Sequence, residues 1–121
     1  MYLPVTCSFR LTDIYRSYIA QRILFENNSY LTFHPSTVRQ IRNAHNLIED
    51  FKYETQSYIQ IEKLVNILTN LKLKKGSKKI FHNLISCYKA LIKENFFDKS
   101  ELRCLLAWIN DIKKLDENSN F

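Results

Sequence analysis

The chain has 121 residues, 45% hydrophobic and 25% charged, with a net charge of +6, which suits one domain with a modest core. One Gly and two Pro are too few for the tight turns of an all-β design, and no run approaches the ~20 apolar residues of a membrane span. Cys7, Cys87 and Cys104 are odd in number and lack zinc-site spacing, so they imply neither a disulfide framework nor a zinc site but three largely buried thiols.

The opening Met-Tyr-Leu-Pro-Val-Thr-Cys carries no basic region followed by an apolar signal core, so the chain as it stands reads as soluble and untargeted. Its first ten residues read as an extended lead-in, with Pro4 forcing Leu3 out of the helical region. Thr12 is a good N-cap, Asp13 sits where the helix dipole favours an anion, and a helix from Asp13 to about Glu26 ends at Asn27-Asn28-Ser29. Tyr30 to Phe33 is a β-branched and aromatic run stopped by His34-Pro35, read as one short strand or an extended segment.

From Ser36 to Tyr53 the text is polar and mixed, with a short helix expected over Leu47 to Phe51. An amphipathic helix is expected from about Glu54 to Lys72, with Tyr58, Ile61, Leu64, Val65, Leu68 and Leu71 on one face. Lys74-Lys75-Gly76-Ser77 breaks it, and Ser77 can cap the next helix, from Lys78 to about Asn95, whose stripe is Phe81, Leu84, Ile85, Tyr88, Leu91 and Ile92. Asp98 with Glu101 three residues on resembles a capping box, starting a helix that buries Leu102, Leu105, Leu106, Ile109 and Ile112 before a frayed tail. The expected fold is mainly α: residues 1–121 as a single helical region of four to five helices, a small antiparallel bundle with at most one short strand.

The first helix has one anomaly. Ile14, Tyr15, Tyr18, Ile19 and Phe25 cover one broad side, and Arg22 falls in the middle of that arc, with Asp13, Arg16, Ser17 and Ala20 opposite. A buried Arg needs a carboxylate or several carbonyls to offset its desolvation. Arg22 therefore predicts an acidic partner, Asp50 or Glu54 within the chain, or a ligand beyond it.

The stretch from Arg10 to Glu26, R-L-T-D-I-Y-R-S-Y-I-A-Q-R-I-L-F-E, resembles the STELLO-like family of glycosyltransferases, whose signature runs approximately R-V-[ST]-D-I-W-R-S-Y-[IWF]-A-Q-R-L-L-W-E. Matches fall at Arg10, Thr12, Asp13, Ile14, Arg16, Ser17, Tyr18, Ala20, Gln21, Arg22, Leu24 and Glu26, with Tyr15 and Phe25 in place of the two tryptophans. The similarity continues through Arg42-Asn43, His45, Asp50-Phe51, Glu54 and Tyr58, and again at Ala107 to Ile112, so that it spans about residues 3–115.

What the resemblance implies is the C-terminal, acceptor-side part of a larger GT-A-like α/β enzyme of the Golgi or secretory pathway. Full-length relatives of that kind imply a nucleotide sugar with a divalent metal. This chain has no Asp-x-Asp motif and no nucleotide-binding βα units, so it needs no cofactor of its own and is expected to be inactive alone. A missing N-terminal catalytic region, or a split partner chain, is the implied partner, with a carbohydrate acceptor. By the same analogy Asp13 is the acceptor-site carboxylate, and Arg16, one turn away, contacts a diphosphate or holds Asp13 in place. The plainer reading stays open, that Asp13 helps cap the helix and pairs with Arg16. Arg10, Ser17, Gln21, Arg22, Arg42, Asn43, His45, Asp50 and Glu54 are binding or structural positions. His45 and Glu49 share a helix spacing but do not make a metal site.

Two other classes stay in view. Lys72, Lys74, Lys75, Lys78 and Lys79 could serve a stand-alone helical interaction module or a small nucleic-acid binder. No aromatics interleave them and no recognition helix carries further cations on one face, so nucleic acid is the weaker reading and a solvated loop the plainer one. A degenerate paralogue that folds poorly is the third.

Overall fold

The computed structural model describes residues 1–41, 43–44 and 46–118. In chain order it has a 3-10 turn Phe9–Leu11, α1 Thr12–Phe25, α2 Leu47–Asn70, a 3-10 turn Ser77–Lys79, α3 Ile80–Lys93 and α4 Glu101–Asn118. It is a small helical bundle with no strand among the described residues.

Asparagines end two of the helices. Asn28 (φ 52°) and Asn95 (φ 62°) adopt left-handed backbone, which Asn tolerates better than most residues. After α1, Asn28 N–H donates to Phe25 O and Ser29 N–H to Leu24 O; after α3, Asn95 N–H donates to Ile92 O and Phe96 N–H to Leu91 O. Both are Schellman closures, which satisfy the last carbonyls of a helix. The second also turns Phe96 back onto Leu91, both buried.

The starts of the helices depart more from expectation. Thr12 does not cap α1: its hydroxyl donates 2.9 Å back to Phe9 O within the 3-10 turn, and Leu11, 1% exposed, occupies the cap position. Ser77 likewise makes no side-chain cap to α3, which is entered through a 3-10 turn closed by Lys79 N–H to Gly76 O. The two helices expected over 47–51 and 54–72 are one, α2. Asn46 accepts Ile48 N–H at 3.0 Å and Glu49 N–H at 3.4 Å, so the helix is capped at its true start, and Lys52-Tyr53 contains no breaker to interrupt it. Residues 29–41 form no regular element, and Tyr30, Leu31 and Phe33 are exposed; among the described residues there is no second strand for the run to pair with.

α1 packs on α2 and α3, α2 also on α3, and α3 on α4. The core joins Leu11, Tyr15, Ile19 and Ile23 of the first helix and its lead-in to Leu64 and Leu68, then to Leu84, Cys87, Tyr88 and Leu91, and to Leu105 and Ile109. The buried line of α1 is thus 11, 15, 19 and 23, and Phe25, expected inside, is 46% exposed. Tyr58, Val65 and Leu106, also expected inside, lie on outward faces. At the centre Tyr88 stacks on Phe97 (5.1 Å between centroids), Tyr15 meets both Phe96 and Phe97 edge-on, and Tyr2 reaches Tyr88 at 5.5 Å.

Tyr2 is in that core because of Glu101. The Glu101 side chain is fully buried and accepts Tyr2 Oη–H at 2.5 Å, Val5 N–H at 3.1 Å, and Thr6 N–H and Oγ1–H at 2.7 and 2.6 Å. The capping box at α4 is therefore replaced by a tie across 95 to 99 residues that holds the extended lead-in over the bundle. Burial and the Glu101 charge push the Tyr2 hydroxyl well above its ordinary range.

Candidate functional site

The residues singled out by the sequence divide into three places. Arg22 and Glu26 lie between α1 and the end of α2. Arg22 Nε donates to Leu68 O at 2.9 Å, Nη2 to Leu71 O at 3.0 Å and Nη1 to Glu26 Oε1 at 2.6 Å. The expected carboxylate-plus-carbonyl compensation is met inside the chain, but by Glu26 and the last turn of α2 rather than by Asp50 or Glu54. A cation at carbonyls left open by a helix end is favoured there. Arg22 is a structural cap.

Arg10 and Asp50 form the second place. Arg10 Nη2 donates to Asp50 Oδ1, tying the turn before α1 to the first turn of α2. Asp50 is committed here, with Arg10, not with Arg22. Glu54 is half-buried on the same helix, and its carbonyl accepts Ser57 Oγ–H. Asn43 lies in the segment leading to α2, while Arg42 and His45 lie outside the described residues.

The third place is the outer face of α1. Asp13 is exposed in the first turn, and its Oδ1 accepts only the neighbouring Ile14 N–H, at 2.9 Å, among the described residues. Arg16 is half-buried one turn on and forms no ion pair with Asp13 among the described residues, which departs from the plain pairing expected of them. Ser17 is exposed and its hydroxyl bonds back to Asp13 O at 2.6 Å. Gln21, with Tyr18, Arg22, Phe25, Val65, Leu68 and Thr69, borders a cleft of about 340 Å³ between α1 and α2.

The described residues do not by themselves make a metal site. No three His, Cys, Asp or Glu side chains converge among the described residues, and Asp13 stands without a second carboxylate hydrogen-bonded to it. What the α1 face offers is a solvent-facing carboxylate at a helix start, with arginines three residues to either side, one of them committed to Asp50. Such a group can accept a proton or a hydroxyl hydrogen bond. All three cysteines are free thiols; burial pushes Cys87 up to about 12 and Cys7 up to about 11, which suits packing rather than nucleophilic chemistry.

Sequence reasoning missed Glu101, Tyr2 and Asn83. Asn83, fully buried, accepts Lys74 N–H at 2.9 Å and donates to Lys74 O at 2.7 Å, holding the lysine-rich loop. Its place inside the stripe of α3, among Leu84 and Cys87, was the available signal, since a buried amide there needs a partner. Glu101 gave none, because a capping box reads the same whichever N–H groups it takes.

A family model described as STELLO glycosyltransferases matches residues 10–119. Two Arabidopsis thaliana proteins titled Probable glycosyltransferase STELLO1 and STELLO2 are 26% identical over 112 residues and 24% over 110, in each case over 91% of this chain. The chain spans 14% of the length of each. No solved structure matches it. No helix among the described residues is long and apolar enough to cross a membrane. With the signature of α1 in place and the family model covering nearly all of the chain, the protein belongs to the STELLO glycosyltransferase family.

Proposed function

We propose that this helical region is the acceptor-side and structural part of a STELLO glycosyltransferase, docked on a nucleotide-sugar-binding part that this sequence does not include, and without transferase activity alone. The observation that carries the reading is the second apolar face of α2. Leu64 and Leu68 turn into the bundle, while Phe51, Tyr58 and Val65, spaced by seven residues along one line, face outward with Leu47 and Ile48. The preceding segment adds Phe33, Val38 and Ile41, each at least 85% exposed. An outward apolar face of this kind marks an interface. The relatives are about seven times longer, so the remainder of such a protein is the natural cover.

In that assembly Asp13 accepts the hydrogen of the acceptor hydroxyl and Arg16 faces the leaving diphosphate; Arg10 and Asp50 fix the turn that presents them. The nucleotide sugar, its divalent metal and the Golgi or secretory compartment enter this reading by family analogy. The test is a chimera in which this chain replaces the matching segment of a STELLO relative. Phe51→Asp with Tyr58→Asp is expected to destroy the assembled fold. Asp13→Asn is expected to leave the fold and lower turnover about 100-fold. The isolated chain, given nucleotide sugars, is expected to show no transfer; turnover by it would overturn the reading.

A further inference from the structure

We propose that the groove between α1, α3 and α4 binds a single-chain anionic amphiphile, of the class of a long-chain alkyl phosphate, with the chain against Phe81 and Trp108 and the anion between Lys75 and Lys113. The groove holds about 880 Å³, within the range of roughly 300–1,000 Å³ found for small-molecule pockets. Ile23 and Leu24 line it from α1, Ile80 and Leu84 from α3, with Phe81 and Trp108, whose rings meet edge-on at 6.5 Å. Aliphatic walls suit a flexible hydrocarbon, which gains from burial without needing polar partners.

The charge is at the groove's edge rather than its walls. Lys75 borders it within the exposed run Lys72, Lys74, Lys75, Lys78 and Lys79, and Lys113 Nζ sits 5.9 Å from the Phe81 ring centre. The one acidic residue on the lining, Glu26, is occupied by Arg22 Nη1 at 2.6 Å. The loop is held before any ligand arrives, by the two Asn83 bonds to Lys74 and by Gly76 N–H to Glu26 O at 3.3 Å. Gly76 makes that turn at φ 95°, a backbone a side chain would strain. A preorganised cationic edge beside an apolar trough matches a ligand with an anion at one end and hydrocarbon at the other. The groove lies apart from Asp13 and from the apolar face of α2, so the inference stands independently of the proposed function.

Trp108 is the single tryptophan of the chain and lines the groove, so its fluorescence reports binding directly. Monomeric dodecyl phosphate, below its micelle concentration, is expected to give a saturable blue shift and one site by calorimetry. Decyl phosphate should bind roughly sixteenfold more weakly, at about fourfold per methylene. Dodecyltrimethylammonium, the Lys75→Glu/Lys113→Glu variant and Ile80→Asn should each bind at least about tenfold more weakly, with unchanged circular dichroism. Inorganic phosphate should leave the emission unmoved. Equal binding of the cationic amphiphile, indifference to chain length, or uptake of many molecules per chain would overturn the proposal. So would a response confined to phosphatidylglycerol vesicles, which would make the face a membrane contact instead.

Discussion

Glu101 shows how one side chain can be read correctly as an acceptor of N–H groups and wrongly as to which ones it takes. Its carboxylate takes four donors from Tyr2, Val5 and Thr6, and the carboxylate and the Tyr2 hydroxyl are buried together. Glu101→Gln exchanges an acceptor for a donor facing N–H and O–H groups that need acceptors. Denaturant unfolding is expected to show a loss of about 2–3 kcal/mol, and Tyr2→Phe about 1 kcal/mol, because only one bond is lost there. Equal small losses for both would mean that the lead-in is not held this way. Arg22 teaches the complementary lesson. An arginine in an apolar arc announces that it needs partners, but which carbonyls it meets depends on where α2 ends.

α2 carries the contrast between interior and surface at the scale of an element. Its second half contributes Leu64 and Leu68 to the core and is closed by Arg22 at Leu68 O and Leu71 O. Its first half, from Leu47 to about Tyr58, is held by the Asn46 cap and by Asp50 to Arg10, with an apolar face turned outward. Native-state hydrogen exchange is expected to show protection rising along the helix, low from 47 to 56 and high from 60 to 68. Asn46→Ala should lower the first part further, at about 1 kcal/mol, without touching the second. Arg22→Lys, losing the fork that serves two carbonyls and Glu26 together, should open the last turn instead. Uniform protection along α2 would contradict this division.

For the whole molecule the telling groups are the buried acids that stay protonated. Burial raises Cys87 to about 12 and Cys7 to about 11, and with the nearby Glu101 charge it raises Tyr2 and Tyr88 further; Tyr15 is raised as well. The folded state therefore keeps protons that the unfolded chain gives up from about pH 9, where an ordinary thiol titrates. The unfolded state binds fewer protons above that pH, so stability falls as pH rises. Cys87 alone accounts for on the order of 4 kcal/mol between pH 9 and about 12. Urea midpoints should be flat from pH 7 to 8.5 and fall steeply above 9, and Cys87→Ala should blunt the fall. A flat profile to pH 11 would show that these groups are not buried together.

The sequence by itself determined the helical class, the seats of α1, α3 and α4, and the family, because apolar spacing, Asn stops and the α1 signature are local properties. It determined that Arg22 must be compensated, since the cost of burying a guanidinium does not depend on the fold. Only the tertiary structure decided that Glu26 and the end of α2 do so, and that Asp50 answers Arg10. It alone decided which apolar face of α2 turns inward and which outward, and that Glu101 reaches the other end of the chain. The reason is common to all four. A residue's need for a partner is written in its own chemistry, whereas the partner's identity depends on which distant backbone the packing of the core brings within hydrogen-bonding distance.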